Sequence, residues 1–144
     1  MTKHEFRVVV AAVIKDENGK ILLGKRHPKD DNLPDFWSIP AGHAEAEEHG
    51  LDTLEETLIR EVKEEIGVEI EVFDYLDSHV WVADDYKKIT IVFLGKIVKG
   101  TPKPHDETIE VGWFDIEEIK QMELPPNVMR VLTKAINIGI INPN

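Results

Sequence analysis

Cysteine is absent from the 144 residues, which excludes disulfides and thiolate metal sites. No apolar run approaches the roughly 20 residues a membrane-spanning helix requires, so no membrane partner is expected. The start of the chain, Met1-Thr2-Lys3-His4-Glu5, carries no apolar segment behind a basic one, and a cytoplasmic location is the default expectation. Bases are in deficit too: 17 stand against 28 acids, a formal charge of −11 that opposes binding to nucleic acid polymers and anionic membranes. A phosphate-bearing small molecule is still admitted if a metal ion bridges acidic protein and acidic ligand. No repeat or low-complexity segment divides the chain, and its length suits one domain over residues 1–144.

What the chain concentrates is acid on one helical turn. Leu54, Leu58, Val62 and Ile66 recur every four residues, which predicts an amphipathic helix with one face on a core. Asp52-Thr53-Leu54-Glu55 has the spacing of a capping box, so the helix is expected from about Thr53 with Asp52 as its cap, and Gly67 ends it. Within it Glu61 sits one turn from both Glu64 and Glu65, so three carboxylates share a face and repel one another. Arg60, four residues before Glu64, can hold one acid, but one guanidinium does not neutralise three. A hard divalent ion with oxygen ligands suits such a turn, Mg²⁺ first and Mn²⁺ second. The bland alternative is a solvated acidic face with no ligand.

Around this helix, residues 6–15 and 20–26 are expected as strands joined in a hairpin by Asp16-Glu17-Asn18-Gly19. Lys25, Arg26 and His27 close the second strand, either meeting substrate phosphates or solvating a strand end. Residues 28–35 are expected as a surface loop and 36–39 as a short strand, with Phe36 or Trp37 stacking on a base or packing in the core. His43 either contacts the ligand or is simply exposed. Residues 68–83 and 87–98 form a second antiparallel pair about a turn at Asp84-Asp85, and His79 and Trp81 share one face with a core or cross-strand role. A loop over 100–108, a strand over 109–114 and a short helix capped by Asp115 follow. After Pro125-Pro126, Asn127 is expected to cap a last helix that packs through Val128, Val131, Leu132, Ala135 and Ile138. This order describes an α+β fold, an α/β/α sandwich.

The stretch Arg60-Glu61-Val62-Lys63-Glu64-Glu65-Ile66-Gly67-Val68 resembles the second half of the Nudix hydrolase motif, Gly-x5-Glu-x7-Arg-Glu-U-x-Glu-Glu-x-Gly-U, at every specified position, U being bulky and aliphatic. The first half departs from the pattern because four extra residues lie between Gly42 and Arg60. Either Glu48 or Asp52 takes the place of the motif's first glutamate, with the insertion around Glu47-Glu48-His49-Gly50. Ala41 stands where the family usually has a glycine whose carbonyl serves the metal. The resemblance implies a mixed central sheet between helices and hydrolysis of a nucleoside diphosphate linked to another group. Glu61, Glu64, Glu65 and the Ala41 carbonyl would be metal ligands, with Glu61 or Glu64 as base and Arg60 orienting the acids. Lys25, Arg26 and His43 would face substrate, with Glu107 or Glu110 as a loop acid. Gly24-Lys25-Arg26, Ile39-Pro40-Ala41-Gly42-His43 and Trp113 resemble the subgroup cleaving nucleoside triphosphates to monophosphate and pyrophosphate. ADP-ribose or nucleotide-sugar hydrolysis, a non-catalytic nucleotide sensor and a purely structural domain are the alternatives, and a homodimer is left open.

Overall fold

Val9-Val10-Ala11-Ala12-Val13-Ile14 offers no polar alternation, so a strand made of these residues must bury both faces. The computed structural model, which describes residues 5–27, 36–45, 47–82 and 85–141, shows this arrangement. In β1 (Glu5–Ile14), Val10, Ala12 and Ile14 enter one core while Ala11 and Val13 enter another. β2 (Ile21–Arg26) divides likewise, Leu22 to the first core and Ile21 and Leu23 to the second. The first core is closed by α1 (Thr53–Ile66) through Leu58, Val62 and Ile66. The second is closed by α2 (Ile116–Ile119) and α3 (Pro126–Asn137), the latter through Val128, Val131, Leu132 and Ala135.

The strands between the helices form a mixed sheet and a smaller antiparallel one. The remaining strands are β3 (Trp37–Ser38), β4 (Ala41–His43), β5 (Glu69–Val82), β6 (Tyr86–Lys99) and β7 (Thr108–Phe114). One sheet has the order β4-β1-β6-β5, with β1 and β6 parallel and the outer pairs antiparallel; the other has the order β3-β2-β7. The molecule is thus an α+β sandwich of sheet between helices. Among the described residues no helix is long and apolar enough to cross a membrane.

Several expectations are corrected. β1 and β2 are not a hairpin: the Asp16–Lys20 turn forms, but beyond the single Lys15–Ile21 bridge the strands part into different sheets. Asp52 makes no side-chain cap bond, because its backbone lies in the left-handed region at φ 60°. Asn127 does not cap α3; Pro125 is the cap and Pro126 fills the first turn, where a missing N–H costs nothing. Ile138 is 54 % exposed at the end of α3, and Trp81 is 50 % exposed rather than buried in the core. The loop expected over 28–35 and the Asp84 half of the expected turn lie outside the described residues.

Candidate active site

β4 is an edge strand of its sheet and precedes α1 in the chain. Its register on β1 pairs Val10 with Gly42 and Ala11 with Ala41, so the strand lies flat against the packed β1. The glycine matters because of what crosses it. A Cβ built on Gly42 would collide with Glu61 Cγ and fall 2.7 Å from Glu61 Cβ and Cδ. No side chain other than hydrogen fits while Glu61 lies there. The Glu61 side chain, 17 % exposed, is therefore laid on the backbone of β4.

Arg60 beside it does not hold Glu64, as the four-residue spacing had suggested, but bridges Glu48 at 3.3 Å and Glu61 at 3.6 Å. Glu48 is further tied by the Glu45 N–H at 2.8 Å and the Thr57 hydroxyl at 2.5 Å. These bonds, Thr57 first, hold the Glu48 pKa below the usual glutamate value, and the Arg60 charge adds to them. Thus Glu48, not Asp52, joins the arginine of the helix. After Glu48, Gly50 at φ 122° and Asp52 at φ 60° turn the chain into the helix.

Glu61 is shifted the opposite way. Burial, and then the charge of Glu64, raise its pKa above the ordinary value despite Arg60. Among the described residues no three acids or histidines converge as a ready-made ion cage. The donor set fits a different mode, in which Mg²⁺ takes one or two protein carboxylates and completes its shell with water and substrate phosphates. A half-buried carboxylate repelled by its neighbour is relieved by such a cation. Glu65 is half-buried, and its backbone carbonyl accepts from the His105 N–H at 2.9 Å, while Ile66 accepts from Lys103 at 2.8 Å. The loop over 100–107 is in this way pinned to the C-terminal end of α1. Glu107 lies at the end of that loop and its carbonyl accepts from His27, whereas Glu110 stands opposite Lys25 across β2 and β7; both acids are exposed.

Gly42 also lines a cleft that opens to solvent, with a cavity volume of about 110 Å³. Val9, Ala11, Val92 and Val131 give it an apolar floor, while Arg26, Lys88 and His43 supply cations or a potential one. Phe36 lines the cleft, whereas Trp37 packs edge-on against Phe114 at 5.0 Å and belongs to the core. His43 has its pKa pushed down, first by loss of solvent and then by the charges of Lys88, Arg26 and Arg7. Ala41 borders the same cleft; Lys25 sits outside it, opposite Trp37 and Glu110.

Sequence reasoning missed the far wall of this cleft. His79 of β5 and Asn127 of α3 meet there, His79 Nε2 lying 2.9 Å from Asn127 Nδ2, and Asp77 two residues earlier is buried against Arg130 and Lys134 of α3. The alternation of β5 put His79 and a neighbour on one face, but nothing local identifies a partner about fifty residues away.

The NUDIX domain family pattern matches residues 5–134. Phosphatase NudJ of Escherichia coli strain K12 is 34% identical over 117 residues, which cover 79% of this chain and 71% of NudJ. NAD-capped RNA hydrolase NudC of Vibrio atlanticus is 27% identical over 132 residues; these are 91% of this chain but only 46% of NudC, so the chain spans about half the length of that relative. Among solved structures, the MutT protein from Methanosarcina mazei superposes with a TM-score of 0.79 at 26% identity, covering 96% of this chain and 99% of that one.

Proposed function

The chain belongs to the Nudix family, and from that premise we propose that it hydrolyses nucleoside triphosphates to nucleoside monophosphate and pyrophosphate, with Mg²⁺ or Mn²⁺ as cofactor. The observation that carries this reading is the contact of Glu61 with Gly42. It joins the acidic turn of α1 to the strand that borders an apolar, cation-rimmed cleft. A triphosphate has both parts such a site needs: a polyanion for the ion and a flat apolar ring for the cleft.

Glu61 and Glu64 would hold the ion, with Glu65 and the Ala41 carbonyl in the same donor set. When bound, the ion supplies charge neutralisation at the phosphoryl oxygens and acidifies a water. Glu61 or Glu64 would accept the proton of the attacking water as the P–O bond to pyrophosphate breaks. Arg60 orients Glu61 and ties it to Glu48, which fills the place of the motif's first glutamate. Arg26 and His43, at the cleft, face the phosphates, with Lys25 further out on the same strand as Arg26. Of the two loop acids, Glu107 is the stronger candidate because its loop is bonded to the end of α1.

A panel of nucleoside triphosphates, ADP-ribose and nucleotide sugars, incubated with Mg²⁺ and resolved by product, tests the substrate class. Monophosphate and pyrophosphate from a triphosphate are expected. Turnover of ADP-ribose or a nucleotide sugar far above every triphosphate would overturn the assignment.

A further inference from the structure

β5 ends its sheet in the order β4-β1-β6-β5, so among the described residues no strand pairs with its outer side. Such an edge presents unpaired N–H and C=O groups that join any strand laid along it unless something blunts them. The two halves of β5 differ in this respect. Between Glu69 and Asp77 the register on β6 shifts three times, and bulges of this kind turn an edge away from a neighbour. From Asp77 to Val82 the register runs unbroken, Asp77 opposite Val92 through to Val82 opposite Lys87. This half contains neither proline nor lysine, the residues that guard an open edge. Its one acid, Asp77, is buried and held by Arg130 and Lys134 of α3.

The side chains of this half are apolar and yet half in water. Val80, Trp81 and Val82 are 56 %, 50 % and 69 % exposed. Strand alternation sets Val80 and Val82 on one face of the sheet with Ser78, and Trp81 on the other with His79.

Charge selects the partner. The chain carries a formal charge of −11, so two copies repel wherever their acids meet. The run from Ser78 to Val82 holds no acid, lysine or arginine, and burial lowers the pKa of its one histidine. Two copies meet there without like charges. A two-fold axis perpendicular to the sheet keeps each side chain on its own face only if some residue lies opposite itself, and the midpoint of the run is Val80. Val80 then faces its own copy, Trp81 faces His79 and Val82 faces Ser78.

We propose that the Ser78–Val82 edge of β5 is a homodimer interface, along which a second copy of this chain pairs antiparallel about Val80 and joins two four-stranded sheets into one of eight strands. The inference does not depend on which nucleotide the protein hydrolyses. Six paired residues a side make an interface at the small end of the specific range, about 1,000 Å² in total, so the dimer forms in a concentration-dependent way.

The absence of cysteine supplies the test. Val80→Cys introduces a single thiol that lies opposite its copy, with Cβ atoms about 4.5–5.5 Å apart, within reach of a disulfide or a short thiol-reactive linker. At about 100 µM, which populates even a micromolar association, Val80→Cys should give a covalent dimer. Val98→Cys, at a valine of β6 that is 55 % exposed, should not. Sedimentation of wild type at the same concentration should show a dimer that dissociates on dilution. Val80→Lys, which sets two ammonium groups face to face, should be monomeric with an unchanged circular dichroism spectrum. A wild type that stays monomeric, equal cross-linking of the two cysteine variants, or a dimer that persists in Val80→Lys would each overturn the inference. A monomeric protein that takes an extended peptide along β5 would overturn it too, by giving the edge to a different partner.

Discussion

Gly42 and Glu61 occupy space that leaves no room for a side chain at residue 42: a Cβ there would lie 2.7 Å from both Cβ and Cδ of Glu61. The acid of α1 and the strand that borders the cleft are in this way one unit, and damage to either is felt by the other.

Gly42→Ala should therefore cost stability and turnover together. The residue has no positive φ, so the penalty is one of space alone, of the about 1–3 kcal/mol that overpacking costs. Chemical denaturation and a hydrolysis assay on the same preparation check it. Wild-type stability with wild-type rate would mean that Glu61 does not rest on this strand.

Glu61→Gln should separate stability from activity. Because the folded-state pKa of Glu61 is raised, its protonated form favours the fold below the ordinary glutamate value, and that contribution is lost as pH rises through the raised pKa. Without divalent ion, the variant should thus melt above wild type at neutral pH and lose the advantage in acid. Mg²⁺ should raise the melting temperature of wild type more than that of the variant. Thermal melts across pH, with chelator and with Mg²⁺, read all three; a variant less stable than wild type at neutral pH in chelator would contradict the burial argument.

The loop before α1 yields a third expectation. Glu48 is tied to Glu45, Thr57 and Arg60, while Asp52 makes no cap bond and holds a left-handed backbone. Glu48→Ala should lower the melting temperature clearly, whereas Asp52→Gly should stay within about 0.5 kcal/mol of wild type because glycine accepts φ 60° without strain. The opposite order would return the role to Asp52.

Asp77 gives a prediction in acid. Burial alone would raise its pKa, but the hydrogen bonds from Arg130 and Lys134 outweigh that and lower it. Its contribution is present above the ordinary aspartate value and is lost as pH falls through the depressed one. Asp77→Asn should cost about 1–3 kcal/mol at neutral pH, and the gap from wild type should close on acidification. A gap that is constant down to strongly acidic pH would refute the ion-pair account.

The elements most legible in the sequence are those set by local periodicity and local backbone demands. The four-residue stripe of α1, Gly67 as its stop at φ 79°, the turn at Gly19 and the Asp115 capping box all follow from near neighbours. What was not legible depends on distant partners. Asn-Gly joins β1 to β2 as a hairpin turn would, yet the parallel pairing of β1 with β6 and the antiparallel pairing of β2 with β7 draw the two strands into separate sheets. Asp52-x-x-Glu55 satisfies the spacing of a capping box, but the backbone at Asp52 decides otherwise. Likewise the carboxylates of the motif were visible, whereas the cleft wall of His79 and Asn127 exists only where β5 meets α3.

The most direct measurement is hydrolysis of a nucleoside triphosphate by wild type and by Glu61→Gln, with Mg²⁺ and with chelator, quantifying monophosphate and pyrophosphate. Wild type with Mg²⁺ should release the two products in equal amounts, chelator should abolish the reaction, and folded Glu61→Gln should lose most of the rate, of the order of 10²-fold or more for loss of a proton-transfer group. Full turnover in chelator, or a wild-type rate from Glu61→Gln with Mg²⁺, would contradict the account.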